Sequence, residues 1–238
     1  MPVTHRYLGI VTARSGSKRL PGKNVRELGG QPLFVWSVVA SLATPNIART
    51  IVCTDSPDYQ RIARHAGADC PWLRDAALAT DSASSADVVA ALLERLTDDL
   101  SKYRGLVLLQ PTSPLRTAND ILGALDLFES RDAPAVVSIS RTECSPTWMG
   151  QLPSSLVMDD FTPPELQSLN RNSSSDWYRL NGAIYVIGIE AFQKEHGFIP
   201  PGTLGYIMPR ERSIDIDTEF DFKLASLLMA QAQLSSGP

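Results

Sequence analysis

Between residues 7 and 24 an apolar run rich in β-forming residues, Tyr7-Leu8-Gly9-Ile10-Val11-Thr12, ends abruptly in a loop of small and basic residues. That loop reads Ala13-Arg14-Ser15-Gly16-Ser17-Lys18-Arg19-Leu20-Pro21-Gly22-Lys23-Asn24. Ser15, Gly16 and Ser17 let a backbone curl so that several N–H groups point at one anion. Arg14, Lys18, Arg19 and Lys23 add positive charge over the same stretch. A strand feeding such a loop is how α/β proteins hold the phosphates of a nucleotide. The loop fits neither GxxxxGK[ST] nor GxGxxG, and the competing reading is a basic surface turn. Near the other end of the chain, Asp215 and Asp217 are one residue apart. If Ser213–Thr218 is extended, both carboxylates lie on the same side. Two hard oxygen ligands on one face suit Mg²⁺, although the residues alone are more simply read as a strand with its polar face in solvent. Gln110 ends another apolar run, at what is the ligand-facing edge of open α/β sheets.

Strand-like and helix-like stretches alternate, and these must position the chemistry. Strands are expected at Tyr7–Thr12, Thr50–Thr54, Leu106–Gln110 and Ala135–Ser140. Helices are expected at Pro32–Ala43, from Pro57 to about His65, at Ala86–Leu96, and from Thr117 to about Ser130. Ser56 with Pro57 reads as an N-cap and first helical residue, and Thr117 with Asp120 as a capping box. This rhythm predicts a parallel sheet with helices on both faces. It breaks after Ser140. Residues 141–180 are rich in Pro, Ser and Thr, with short antiparallel strands expected within Met149–Asp160. Regular structure returns at Ala183–Ile187, and Thr218–Ala230 reads as a closing helix.

The chain has 238 residues, enough for one large α/β domain. Its net charge of −4, from 22 Lys+Arg against 26 Asp+Glu, argues against bulk nucleic-acid binding while permitting a local basic pocket. Cys53, Cys70 and Cys144 show no CxxC spacing and suit a reducing compartment. No signal-peptide core and no apolar run of membrane-span length is seen, so the expectation is a cytoplasmic protein without a membrane partner. His5, His65 and His196 are not placed with a Ser or Cys nucleophile, and no triad is expected.

Four ordered motifs carry a family resemblance. ARSGSKRLPGKN resembles the signature loop of the acylneuraminate cytidylyltransferases, the CMP-sialic acid synthetases. Leu109-Gln110-Pro111-Thr112-Ser113-Pro114-Leu115-Arg116, Asn181-Gly182-Ala183-Ile184-Tyr185 and Ser213-Ile214-Asp215-Ile216-Asp217-Thr218-Glu219 are similar to its further motifs. Together they run from about residue 8 to about residue 228.

The resemblance implies a three-layer Rossmann-like nucleotidyltransferase fold, mainly parallel, as a single domain over 1–238. A lobe inserted over roughly 141–200 would carry dimerisation and sugar contacts. The implied reaction joins CTP and a nonulosonic (sialic-type) acid to give a CMP-sugar and pyrophosphate. The implied cofactor is Mg²⁺, or Mn²⁺, on Asp215 and Asp217. The nucleotide would be held by Ala13, Arg14, Ser17, Lys23, Asn24, Arg74 and Ser85. Of these, Arg14 and Lys23 would act with both aspartates in catalysis, and Arg74 would lie near the cytosine. Ser85 has an alternative role as a helix cap, and Thr218 is read as a cap rather than a ligand.

Gln110, Asn181 and Tyr185 would line the sugar pocket; Tyr185 is equally readable as core. Arg171 would face the sugar carboxylate, with Arg179 as a second candidate. Thr12 stands where relatives commonly carry Pro. Trp148 stands where some carry a Lys near that carboxylate, which leaves more to Arg171. A homodimer is expected, burying Trp148, Met149 and Phe198. The alternatives are synthetases of CMP-legionaminate, CMP-pseudaminate or CMP-Kdo, and a catalytically silent nucleotide-binding relative. The first and last motifs look more like the acylneuraminate group than the Kdo enzymes.

Overall fold

Strand β1 (Tyr7–Thr12) is the apolar run at the start of the chain, buried along all but its last residue. In the computed structural model, which describes residues 6–142, 144–159, 161 and 176–235, it is the second strand of a six-stranded sheet. Two short strands, β2 (Glu27–Leu28) and β3 (Gln31–Pro32), form a separate antiparallel ribbon. The main sheet contains β1, β4 (Ile47–Cys53), β5 (Gly105–Leu108), β6 (Ala135–Arg141), β7 (Tyr178–Gly188) and β8 (Leu204–Ile207). Its order is β4-β1-β5-β7-β6-β8. Pairing is parallel except that β7 runs against both β5 and β6. The fold is therefore mixed α/β with a mainly parallel sheet, as the sequence implied.

Helices α1 (Val35–Leu42), α2 (Pro57–His65) and α4 (Ala118–Ser130) contribute to the core on one face of the sheet. Helices α3 (Ser85–Arg95) and α5 (Ile189–Glu195) contribute to the core on the other. The expected caps form. Ser56 accepts from the Tyr59 N–H with Pro57 at the first turn, and Thr117 and Asp120 exchange both capping-box bonds. Helix α3 starts one residue earlier than expected, with Ser84 and Asp87 as its box. Ser85 is thus freed from capping.

A third small core fixes the site. Helix α6 (Glu219–Ser235) packs Phe222, Ala225 and Met229 against Leu28 and Leu33 of the ribbon region, Leu20 of the basic loop, and Ile216. Ile216 is fully buried, so the residue between the two aspartates is drawn onto the residue at the turn of the phosphate loop. Burial of such side chains is worth about 1.5–3 kcal/mol each.

Several expectations are revised. Ser213–Thr218 joins no strand; its middle is tied to the loop after β5 by the Ile216 N–H, which donates to the Thr112 carbonyl at 2.8 Å. The strand at Ala183–Ile187 begins at Tyr178 and is reversed in direction. It supplies a central strand of the main sheet, so the sheet claims part of the 141–200 span. No strand forms in the described part of Met149–Asp160. Pro32 lies in β3, and the first helix starts only at Val35. Phe198, expected at an interface, packs in the core against Phe192 and Tyr185. Arg171 lies outside the described residues.

Candidate active site

The carboxyl end of β1 and the loop after β5 open onto a cleft of about 630 Å³. Five basic side chains line it, Arg14, Lys18, Arg19, Lys23 and Arg74, against two acidic ones, Asp81 and Asp217. A chain of net charge −4 thus concentrates positive charge in one hollow. That imbalance suits a polyanion such as a triphosphate.

The loop after β1 is built by backbone geometry. Ala13 is buried and donates its N–H to the Cys53 carbonyl at 3.0 Å. Gly22 has φ 65°, the left-handed region that a side chain disfavours, and it starts the short turn Lys23–Val25. Asn24, also buried, donates its amide to the Arg14 carbonyl at 2.8 Å, while its Oδ1 has no partner. An acceptor held at the cleft wall in this way matches a ribose hydroxyl or a base N–H.

The loop cations are paired across the cleft. Arg14 and Lys18 each reach Asp81 at 2.5 Å. Lys23, with its side chain only 13% exposed, donates to Asp217 Oδ1 at 3.0 Å and to the Ile216 carbonyl at 2.7 Å. Arg19 takes the other Asp217 oxygen at 2.9 Å. The acidic turn and the phosphate loop, 194 residues apart at Lys23–Asp217, are thereby one structure.

Asp215 is more deeply placed. Its Oδ1 is buried without a hydrogen-bond partner. Burial, reinforced by the charge of Asp217, pushes its carboxyl above the usual range; the Thr112 hydrogen bond and the charges of Lys23 and Arg179 only partly oppose this. A desolvated, under-bonded carboxylate beside a second one is a pair that a hard cation stabilises. Among the described residues there is no cluster of three or more His, Cys, Asp or Glu. A cation here would take its remaining ligands from water and phosphate oxygens. Thr218 caps α6: it exchanges hydrogen bonds with Asp221, including Oγ1 to Oδ2 at 2.7 Å.

Arg74 reaches the cleft from beyond the end of β4, with its side chain 6% exposed and its Nε and one terminal nitrogen unbonded. Burial lowers its pKa. Ser17, Ser85 and Gln110 also line the cleft. Gln110 is set by a bulge in β7. Pairing with β6 jumps from Val137↔Tyr185 to Ile139↔Leu180, and Asn181–Ala183 lie in the slack. Gly182, at φ 72°, presents its bare Cα to the Gln110 amide; a Cβ there would lie 2.8 Å from Oε1.

Arg116 locks this corner. Fully enclosed, it donates to the Ala183 carbonyl at 2.8 Å, to Ser37 Oγ at 2.8 Å and to the Gln110 carbonyl. Burial pushes its pKa down to about 9. The sequence placed Arg116 in a motif but gave it no role. Two of its three partners, Ser37 on α1 and Ala183 on β7, are distant in sequence, and only the fold brings them to it.

The remaining sugar-side candidates are not on the cleft wall. Asn181 is buried and fully engaged: it accepts from Ser138 Oγ at 2.6 Å and the Ala183 N–H at 3.1 Å, and donates to Ser213 Oγ at 2.9 Å and Met208 Sδ at 3.4 Å. It shapes the bulge rather than presenting a free amide. Tyr185 is half-buried with its ring 5.7 Å from Phe198, and burial followed by the charge of Asp215 raises its pKa. Arg179 donates to the Ser213 carbonyl at 3.1 Å and lines a second hollow of about 530 Å³, together with Arg141, Arg210 and Ile214.

A parallel sheet with a basic loop at its carboxyl edge, facing a paired-carboxylate turn, defines an α/β protein equipped for nucleotide phosphates. Residues 8–148 match the profile of the cytidylyltransferase family. The chain is 35% identical over 227 residues to the CMP-N,N'-diacetyllegionaminic acid synthase of Legionella pneumophila, covering 94% of this chain and 96% of that protein. It is 36% identical over 228 residues to the N-acylneuraminate cytidylyltransferase of Escherichia coli O18:K1:H7, covering 92% of this chain and 51% of that longer protein. The solved structure of a CMP:2-keto-3-deoxy-manno-octonic acid synthetase complexed with CTP superposes with a TM-score of 0.73 at 15% identity, over 96% of this chain and 100% of that one. The chain belongs to the cytidylyltransferase family, beside enzymes of CMP-nonulosonic acid synthesis, and is a nucleotidyltransferase.

Proposed function

We propose that the protein joins CTP to a sialic-type nonulosonic acid, giving the CMP-sugar and pyrophosphate. The carrying observation is the Lys23–Asp217 junction, which joins the basic loop on the cleft wall to the turn that carries both aspartates, Asp217 itself lining the cleft. Sequence identity near 35% to a legionaminate and a sialate enzyme, against 26% to a pseudaminate enzyme, supports the first two acids over the third.

The sugar's anomeric hydroxyl attacks the α-phosphorus in line. An oxygen–phosphorus bond forms, the bond to the β-phosphate bridge breaks, pyrophosphate leaves with the electron pair, and the hydroxyl proton is released to water. Positioning and charge stabilisation suffice, with no covalent enzyme intermediate. Arg14 and Lys23 neutralise charge growing on the pyrophosphate; Arg can do so bidentately and Lys as a point charge. Asn24 and Arg74 take the nucleoside end, and Gln110 faces the sugar.

Asp215 and Asp217 would hold Mg²⁺ or Mn²⁺, which supplies Lewis acidity at the α-phosphate when bound. The sugar carboxylate falls to Arg171, with Arg179 as the second candidate. The proposal includes a homodimer: Trp148, Met149, Leu152, Leu156, Val157 and Met158 form an exposed apolar run that an interface would cover. It also includes residence in the cytoplasm; no helix among the described residues is long and apolar enough to cross a membrane.

The test is a pyrophosphate-release screen of the four nucleoside triphosphates against a panel of sialic-type acids, with and without chelator. Turnover with CTP and Mg²⁺ only is expected. Equal turnover with UTP, or full activity in excess chelator, would sink the assignment.

A further inference from the structure

We propose that Asp55, just beyond the carboxyl end of β4, is a positioning residue that fixes the phosphate loop and Arg74 in one geometry, so that triphosphate and base are bound by a single rigid unit. The proposal rests on the reading of the cleft as a CTP site.

Both oxygens of Asp55 are used by one loop residue. Oδ1 accepts the Ser15 N–H at 2.8 Å and Oδ2 accepts the Ser15 hydroxyl at 2.6 Å. This pins the loop between Arg14 and Ser17, two of the residues that line the cleft. A backbone N–H and a hydroxyl delivered to one carboxylate form a two-point clamp that fixes orientation as well as distance.

The same carboxylate lies 3.7 Å from a terminal nitrogen of Arg74. That is an electrostatic contact rather than a hydrogen bond, and it leaves the donors of Arg74 free for a ligand. The Arg74 N–H is tied to the Thr54 carbonyl at 2.7 Å, one residue before Asp55. An almost fully enclosed guanidinium with unbonded Nε and terminal nitrogen is costly to bury without a nearby anion. Asp55 is the carboxylate paired with it. Burial alone would raise the Asp55 carboxyl, yet the two Ser15 bonds and the Arg74 charge hold it below the usual range. The strands agree with this arrangement. Thr12 pairs with Cys53 in register, and the Ala13 N–H continues to the Cys53 carbonyl. The loop and the end of β4 therefore leave the sheet side by side.

Three variants separate the two halves. Asp55→Ala removes both clamp and charge. Asp55→Asn keeps two hydrogen bonds to Ser15, with the hydroxyl reoriented to accept from the amide, but withdraws the charge from Arg74. Ser15→Ala removes one clamp bond and leaves the charge. Binding of CTP, UTP and inorganic tripolyphosphate is measured by calorimetry with Mg²⁺ present, after thermal unfolding has shown each variant folded.

Asp55→Ala is expected to weaken CTP on the order of tenfold or more, as loss of charge-assisted bonds dictates. It should also weaken tripolyphosphate and narrow the CTP-over-UTP preference. Asp55→Asn should narrow that preference with tripolyphosphate affinity at or above the wild-type value. Ser15→Ala should weaken tripolyphosphate and keep the preference. Wild-type binding of CTP, UTP and tripolyphosphate by folded Asp55→Ala overturns the proposal. So does an Asp55→Asn protein with unchanged base preference. If Asp55→Ala fails to fold, the opposite responses of the other two variants decide. A wild-type protein that binds CTP and UTP equally removes the CTP reading itself and the base half of the proposal; the tripolyphosphate arm then judges the loop half alone.

Discussion

Replacing Asp215 by Asn should stabilise the metal-free protein while abolishing its activity. Oδ1 of Asp215 is buried with no hydrogen-bond partner, and the negative charge of Asp217 stands beside it. At neutral pH the fold therefore holds a charge it disfavours. The neutral amide removes that charge and keeps the shape. An unsatisfied buried polar group costs about 1–3 kcal/mol and a charged one more; the amide leaves the oxygen unpartnered and relieves only the share due to the charge. Part of this is already offset by Thr112 and Lys23, so a gain of about 1–2 kcal/mol is expected. For a chain of this size that is about 2–8 °C in Tm.

The pH dependence follows from the sign of the shift. Asp215 has a folded pKa above its unfolded value, so ionising it penalises the native state. The penalty is complete above the folded pKa and disappears below the unfolded one, near 3.9. Unfolding is followed by circular dichroism in chelator from neutral to acidic pH. The variant's advantage should be largest at neutral pH and close as pH falls through the carboxylate range. Added Mg²⁺ should stabilise the wild type and leave the variant nearly unmoved. Activity should fall by roughly two orders of magnitude or more. A variant less stable at neutral pH, an advantage independent of pH, or equal stabilisation of both proteins by Mg²⁺ would refute the reasoning.

The other expectations concern the same reaction. Asp217→Asn should keep the fold and cut turnover by roughly two orders of magnitude; near-normal turnover at ordinary Mg²⁺ would make the carboxylate structural. Lys23→Ala removes a largely enclosed cation and the tie to the Ile216 carbonyl. It should raise the KM for CTP by about tenfold or more and lower Tm by a few degrees, and a lowered Tm with unchanged CTP kinetics would confine Lys23 to structure. Gly182→Ala places a methyl 2.8 Å from Gln110 Oε1 at φ 72°. It should raise the KM for the sugar acid severalfold and spare that for CTP, with a strain of about 1–2 kcal/mol; the reverse pattern would move Gln110 to the nucleotide side. Arg171→Ala should raise the KM for the sugar acid by about 2–4 kcal/mol in equivalent binding energy if the carboxylate pair is desolvated. Arg179→Ala is the control that exchanges the two roles if it carries the defect instead, and neutrality of both removes the carboxylate reading.

By itself the sequence determined the local and the periodic. Apolar runs set β1, β4, β5 and β6, helical spacing set α1 to α4, and Ser56, Thr117 and Thr218 set the caps of α2, α4 and α6, because propensity and capping depend on neighbours a few residues away. The small and basic loop after β1 announced phosphate chemistry for the same reason. Tertiary structure decided what depends on distant partners. The reversal of β7 and its bulge at Asn181–Ala183 follow from pairing with β5 and β6. Asn181 reads as a pocket amide in sequence but is consumed by Ser138, Ser213 and Met208. The two aspartates meet the loop without belonging to any strand, because Ile216 is buried against Leu20 and the face of α6. Asp55 and Arg116 were illegible, since their partners lie 40 and up to 79 residues away. A lone Asp after a strand or an Arg at the end of a motif carries no periodic signal. Only the packing of sheet and helices shows which backbone and side-chain groups those charges must satisfy.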